Sequence, residues 1–139
     1  MPLVDLDGIP QVALPFINQD HREEGRLLNE LQGALSAHRA GGPREPVLER
    51  FEALLAHTRD HFGREEAAMQ RAAFPPYVVH KAEHERVLEE MEAEGSRFVQ
   101  AGDTERLWRY VSAAMPEWFL SHIQTMDYVS AQFVSAHGG

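Results

Sequence analysis

The stretch from His61 to His84 reads HFGREEAAMQRAAFPPYVVHKAEH, and it decides the fold. It holds two pairs of metal-binding side chains, each spaced by four residues: His61 with Glu65, and His80 with His84. In an α-helix this spacing places both side chains of a pair on nearly the same face, one turn apart. The proline dipeptide at positions 75 and 76 breaks a helix, because proline removes a backbone donor and its ring clashes with the preceding turn. The stretch therefore predicts two helices joined by a tight corner, with the two ligand pairs facing each other.

Apolar residues at helical spacing predict two further helices and extend the central two. The predicted bounds are Asn18 to Gly41 for the first helix, Pro46 to Ala73 for the second, Tyr77 to Ala101 for the third and Thr104 to Gly138 for the fourth. Asn18 and Asp20 are the candidate N-caps of the first helix, and Gly102 is the expected stop of the third. Val99 and Val129 belong to the predicted buried stripes of the third and fourth helices.

The absence of period-two alternation and the short connections predict an all-α protein, an antiparallel up-down-up-down four-helix bundle. Residues 1–17 contain Gly8 and three prolines among scattered apolar side chains, which predicts an extended N-terminal arm. Residues 18–137 are then the bundle. The whole chain of 139 residues is expected to form a single domain.

Composition narrows the class of protein. No apolar run reaches the roughly 18 to 20 residues of a membrane span, and the N-terminus lacks a basic leader, so we expect a cytoplasmic protein. We also expect a monomer. The net charge of -9 argues against a nucleic-acid partner, because a phosphate backbone would be repelled. The chain has no cysteine, which leaves imidazole and carboxylate as its strong metal ligands.

The outer helices add further candidate ligands, His21 in the first and His122 with Asp127 in the fourth. The step from His122 to Asp127 turns about 140° away from a shared face of an ideal α-helix, so it requires a distortion, either at Pro116 or as a π-type bulge. The resulting five imidazoles and two carboxylates suit a pair of metal ions. If both carboxylates and one solvent oxygen bridge, one ion has six ligands and the other five, with one position open. Iron fits this set of nitrogen and oxygen ligands better than magnesium or calcium does. Because neutral imidazole predominates among the ligands, we expect the centre to hold dioxygen and not to cleave it.

The motifs in their order resemble those of the hemerythrins, and of bacterial single-domain members in particular. The matching segments are His21, HFGRE with His61 and Glu65, HKAEH with His80 and His84, and HIQTMD with His122 and Asp127. The resemblance runs from Ile17 to about Tyr128 and includes Trp118, four residues before His122.

The resemblance implies a non-haem di-iron centre, oxo- or hydroxo-bridged, that binds dioxygen reversibly. The implied ligand assignment is His80, His84 and His122 on one iron, His21 and His61 on the second, and Glu65 and Asp127 bridging. Trp118 and Phe119 are the candidate residues of the dioxygen pocket, and Phe119 stands where the family commonly has leucine. The entry sequence also departs from the family's Ile-Asp-x-Gln-His, because Asn18 and Asp20 replace the aspartate and the glutamine.

Other histidines and carboxylates have simpler interpretations. His57 lies one turn before His61, but only His61 is followed by a carboxylate four residues later. Glu66 is expected to lie outside the ligand set. His38 and His137 are near predicted helix ends and are expected to be solvated.

The leading functional hypothesis is an oxygen carrier, store or delivery protein, not an enzyme. Its partners would be dioxygen and either a reductase or an oxygen-consuming enzyme. The alternatives are a di-iron oxidoreductase acting on nitric oxide or peroxide, and an oxygen or iron sensor that works through a partner. No acid, base or substrate pocket for an enzyme is evident, and the chain ends about 12 residues after Asp127 without an output domain.

Overall fold

The computed structural model describes residues 2–138, and their regular structure is entirely helical. The four long helices are α1 (Pro15–Arg39), α2 (Glu45–Arg71), α3 (Tyr77–Ala101) and α4 (residues 104–136), and a short 3₁₀ turn, Leu6–Gly8, precedes them. Short connections join consecutive helices, so that neighbours run antiparallel. The predicted all-α, antiparallel four-helix bundle is confirmed.

The first helix begins earlier than predicted, at Pro15 instead of Asn18. Proline suits the first helical position, because its missing N–H would be unpaired there anyway. The proposed N-cap roles are wrong: the side chain of Asn18 accepts a hydrogen bond from Val12 N at 2.8 Å and donates one to Val12 O at 2.9 Å. Asp20 lies in the second turn and contacts α2. The N-terminal arm therefore ends at residue 14 and includes a helical turn.

The arm is tied to α1 and covers part of it. Val4 N donates to Asn29 Oδ1 at 2.7 Å, and Asn29 Nδ2 donates back to Val4 O at 2.9 Å. Val4 and Ile9 are buried. The close approach favours glycine in α1, since a β-carbon on Gly25 would lie 2.9 Å from Leu6 Cδ2 and would displace that side chain.

Local chemistry sets the connections that flank α3. Phe74 N bonds to Met69 O at the end of α2, just before the two prolines, and α3 begins at Tyr77 as predicted. At its other end Gly102 adopts φ +64°, a left-handed conformation that glycine favours, and Asp103 caps α4 by accepting from Arg106 N. These local signals fix where the helices start and stop.

The fourth helix contains two π turns, Tyr110–Ala114 and Ile123–Asp127. Pro116 lacks the N–H that would bond to the carbonyl of Ser112, and the preceding turn is widened so that Met115 N bonds to Tyr110 O. The second π turn falls between the two candidate ligands of this helix. Each π turn shifts the residues after it around the helix axis.

Two valines predicted to be buried are exposed. Val99 is 55% exposed because it follows the buried Phe98 and is rotated by one helical step toward solvent. Val129 is 54% exposed because the π turn ending at Asp127 changes the helical phase on which its predicted position depended.

Candidate metal centre

All four helices deliver candidate ligands to one buried site. Helix α1 supplies His21, α2 supplies His61 and Glu65, α3 supplies His80 and His84, and α4 supplies His122 and Asp127. Each of these side chains belongs to a residue that is at most 5% exposed. Because charged and polar side chains are seldom buried without partners, so many at one place indicate a binding site.

The second π turn of α4 joins the two ligands that an ideal helix would separate. Residues five apart are hydrogen-bonded neighbours in a π turn, so His122 and Asp127 reach the same side of the helix. His122 Nε2 lies 3.0 Å from Asp127 Oδ1. Of the two distortions considered from the sequence, the π bulge is therefore the one that operates at this step.

The ligand atoms form two overlapping clusters, in each of which all atoms lie within 4.8 Å of one another. The three-histidine cluster contains His80, His84, His122, Glu65 and Asp127, and the two-histidine cluster contains His21, His61, Glu65 and Asp127. Only the two carboxylates belong to both clusters. This partition matches the ligand assignment that the family resemblance implies.

Each shared carboxylate divides its two oxygens between the clusters. Glu65 Oε1 lies 3.1 Å from His80 Nε2, while Glu65 Oε2 lies 3.1 Å from His61 Nε2. Asp127 Oδ1 lies 3.1 Å from His80 Nε2, and its Oδ2 lies 2.9 Å from His21 Nε2. Both carboxylates are thus placed to bridge two ions.

The polar atoms of this site fit a cation. His61 Nδ1 donates to Asp20 and His84 Nδ1 donates to Glu66, each at 2.9 Å, so each ring presents an Nε2 lone pair to the site once it is neutral. Within residues 2–138, both oxygens of Glu65 and Nε2 of His84 have no hydrogen-bond partner. Lone pairs and anionic oxygens that face one another in a buried space need positive charge between them.

The acid–base properties of the metal-free site show the same demand for positive charge. Although burial opposes its protonation, the adjacent carboxylates of Asp20 and Glu65 raise the pKa of His61 to about 10. Burial also opposes protonation of His80, but Asp127 and Glu65 raise its pKa to about 9. Conversely, the imidazoles of His122, His21 and His80 outweigh burial and hold the pKa of Asp127 well below its usual range. Without metal, protons supply the charge.

The stability of the metal-free protein should therefore fall as pH rises from about 6.5 to about 10. A histidine whose folded pKa is raised adds stability below its unfolded pKa of 6.5, and this is lost as pH passes the folded values of about 9 and about 10. Thermal unfolding in chelator at about pH 5.5 and about pH 9.5 measures the difference. In the variant His61→Gln the melting temperature should drop less between these two pH values. In His137→Gln, at an exposed site, it should drop as much as in the wild type. A melting temperature that rises over this interval would contradict the prediction.

The two candidate pocket residues contact different clusters. The Trp118 ring stacks on His122 with 4.4 Å between ring centroids, and its Nε1 donates to Glu83 at 2.7 Å. The buried Phe119 meets His21 edge-on at 5.9 Å. A cavity of about 30 Å³, large enough to hold a water molecule, lies against both residues. The two side chains thus separate this small space from the imidazoles of His122 and His21, which they contact.

The other histidines lie outside the clusters, as the sequence predicted. His57 Nδ1 donates to Glu24 Oε1 at 2.7 Å, and His38 Nδ1 donates to the backbone at Gly42. His137 is exposed. Glu66, predicted to lie outside the ligand set, contacts the back of His84.

Sequence reasoning missed two carboxylates with roles next to the site. Asp20 was interpreted as a helix cap, yet it bonds to His61 and Arg64. Glu24 was not singled out, yet it is buried and accepts from both His57 and Thr58. The only sequence signal was that both residues are acidic and lie one and three positions from His21, which does not tell what they face.

A four-helix bundle that converges five imidazoles and two carboxylates on one buried site defines a non-haem metal-binding protein. Comparison with known proteins identifies the family within this class. The sequence pattern of the Hemerythrin HHE cation binding domain matches residues 12–132, and the chain belongs to the hemerythrin family.

The relatives include bacterial proteins that this chain matches over nearly their whole length. The chain is 37% identical over 138 residues to a bacteriohemerythrin of Ralstonia nicotianae, covering 99% of this chain and 93% of the relative. It is 28% identical to the bacteriohemerythrin of Aquifex aeolicus, covering 94% and 96% of the two chains. A crystal structure of a mutant hemerythrin shares the fold with a TM-score of 0.82 at 21% identity, covering 97% of this chain and 99% of the other.

Family membership carries the general chemistry of the site. A hemerythrin domain implies iron binding, and bacteriohemerythrins are oxygen-binding proteins rather than enzymes. Membership of the family therefore confirms the prediction of a binding protein and not an enzyme. No helix within residues 2–138 is both long and apolar enough to cross a membrane.

Proposed function

We propose that the protein binds dioxygen reversibly at a centre of two iron ions and acts in oxygen carriage, storage or delivery. His80, His84 and His122 would hold one ion, His21 and His61 the other, and Glu65 and Asp127 would bridge them. The observation that carries this proposal is the division of both carboxylates between the clusters. Iron, when bound, supplies the reversible exchange of electrons with dioxygen.

The unequal number of histidines determines where a small molecule would enter. The three-histidine cluster offers five protein ligands and the two-histidine cluster offers four. With equal bridging, the ion in the two-histidine cluster is one protein ligand short of its neighbour. Phe119 packs against His21 of this cluster, so its ring lies next to the site that would hold the less saturated ion.

The surrounding side chains keep the site dry and hold the ligands in place. The ring of Phe62 stacks on His84 with 3.8 Å between centroids, and Trp118 covers His122. These aromatic faces shield the imidazoles from water on the sides where they pack. Exclusion of water favours reversible binding, because it limits proton access and loss of the bound molecule by side reactions.

An oxygen titration of the iron-loaded, reduced protein tests the proposal. We expect two iron ions per chain, an absorption band in the visible region that grows with dioxygen, and loss of that band on flushing with argon. A band that decays to a ferric species without release of dioxygen would contradict reversible binding. Uptake of fewer than two iron ions would contradict the paired centre itself.

Replacing Phe119 with leucine should speed both the binding of dioxygen and the oxidation of the reduced protein by several-fold. The smaller side chain leaves a gap where the Phe119 ring meets His21 and admits both dioxygen and water. Stopped-flow mixing and the slow loss of the oxygen-dependent band measure the two rates. Phe98→Leu is the matched control, because Phe98 is equally buried but packs near Arg44 and His38, away from the clusters. Unchanged rates in Phe119→Leu would show that this ring does not control access.

A further inference from the structure

A three-residue contact fixes the outer side of His61. Asp20 Oδ2 accepts from His61 Nδ1 at 2.9 Å and from Arg64 Nε at 2.9 Å, and Asp20 Oδ1 accepts from Arg64 Nη2 at 2.9 Å. The guanidinium thus grips both carboxylate oxygens, which is the strongest geometry of this pair. These contacts hold the Asp20 carboxylate in place against His61.

This contact links the two histidines of one cluster through adjacent residues of α1. His21 points into the two-histidine cluster, while Asp20, one helical step away, reaches across to α2 and holds His61 from behind. The position of α1 against α2 therefore determines where the side chains of both histidines of that cluster lie. Arg64 lies between His61 and Glu65 in sequence, so the same turn of α2 supplies the clamp and the bridging carboxylate.

The two clusters differ in how their histidines are held. Behind His84, in the three-histidine cluster, Glu66 accepts from Nδ1 at 2.9 Å, but no hydrogen bond from an arginine to Glu66 is present among residues 2–138. In the two-histidine cluster His21 Nδ1 has no hydrogen-bond partner within the described residues. His61 is thus the histidine of that cluster whose ring plane and tautomer are set from outside.

We propose that Asp20, clamped by Arg64, is the positioning residue that gives the two-histidine cluster its affinity for metal. The carboxylate fixes the proton on Nδ1, aims Nε2 into the cluster and adds negative charge behind the ring, which makes the nitrogen a stronger donor. The proposal rests on the proposed function, because it assumes that this cluster holds one ion of a pair. It assigns to Asp20 a role that helix capping does not provide.

Anaerobic titration of the metal-free protein with Co²⁺, followed by visible absorption, tests the role of Asp20. Carboxylates behind metal-bound histidines typically contribute about 10- to 100-fold in affinity. We therefore expect Asp20→Ala to weaken one of two Co²⁺ sites by about that factor and to leave the other unchanged. Asp20→Asn keeps an acceptor of nearly the same shape and should fall between the alanine variant and the wild type.

Two further variants serve as controls. Asp60→Asn removes one negative charge from an exposed position next to His61 and should leave both affinities as in the wild type. Glu66→Gln acts behind His84 and should weaken the other Co²⁺ site. In the double variant Asp20→Ala with Glu66→Gln, both sites should be weak.

A spectroscopic signature separates positioning from a general structural effect. In the Co²⁺-loaded protein the Nδ1 proton of His61 should give a shifted, slowly exchanging proton NMR signal, because it is bonded to Asp20. This signal should exchange rapidly with solvent in Asp20→Ala and persist in Asp20→Asn.

The possible results separate this inference from the proposed function. Two wild-type Co²⁺ sites with unchanged affinities in both Asp20 variants would overturn the inference alone. A wild-type protein that binds fewer than two ions would overturn the inference and the paired centre together. If the alanine variant does not fold, the asparagine variant decides the affinity.

Discussion

Removing metal from the protein will lower its melting temperature by about 10 to 20 °C. Metal at about 1,000 times its Kd stabilises the folded state by about 4 kcal/mol. For a chain of this size, 1 kcal/mol corresponds to about 3 to 5 °C. The loss is large because metal removal leaves five imidazoles and two carboxylates buried without their cations.

Calorimetry at neutral pH on iron-loaded and chelated protein measures this shift. Adding Fe²⁺ or Zn²⁺ back to the chelated protein should restore the melting temperature, since both accept imidazole ligands. Mg²⁺ should not restore it, because that ion prefers oxygen ligands. Equal melting temperatures with and without metal would mean that the buried cluster is satisfied without a cation.

The second large effect is expected from Glu65→Gln, which should weaken binding of the metal pair by at least about 100-fold. The amide has nearly the shape of the carboxylate but carries no charge, and its nitrogen does not ligate. Because Glu65 offers one oxygen to each cluster, the amide oxygen can serve only one of them, and both clusters lose the negative charge. Metal analysis after gel filtration and a Co²⁺ titration measure stoichiometry and affinity.

Glu52→Gln is the matched control, because it makes the same change in charge at an exposed position of α2. It should bind two ions as the wild type does. A Glu65→Gln protein that retains two ions at wild-type affinity would contradict the bridging role. In that case Asp127 alone would have to link the clusters.

Much of the fold follows from short segments of sequence. The corner at the two prolines, the start of α3 at Tyr77 and its stop at Gly102 depend on backbone chemistry within a few residues, and the structure agrees with all three. The pairs His61 with Glu65 and His80 with His84 also depend only on helical spacing within one segment. Local interactions of this kind can be predicted from the sequence because they do not depend on tertiary packing.

The spacing of residues along one helix did not predict how the helices are distorted or how they pack against one another. The sequence required a distortion between His122 and Asp127 but left its nature open, and the structure shows that it is a π turn. Val129 was assigned to the buried face by extending an ideal helix through that turn, and it is exposed. A change of helical phase in one turn alters the environment of the residues beyond it.

The sequence by itself determined four helices, the corner between α2 and α3, and which residues were candidates to face inward. Only the tertiary structure decided that Asp20 lies behind His61 and that Glu65 and Asp127 divide their oxygens between two clusters. The physical reason is that helical spacing fixes angles around one axis, whereas these contacts depend on the rotation and displacement of one helix against another. That arrangement results from packing over the whole bundle and is not encoded in any single motif.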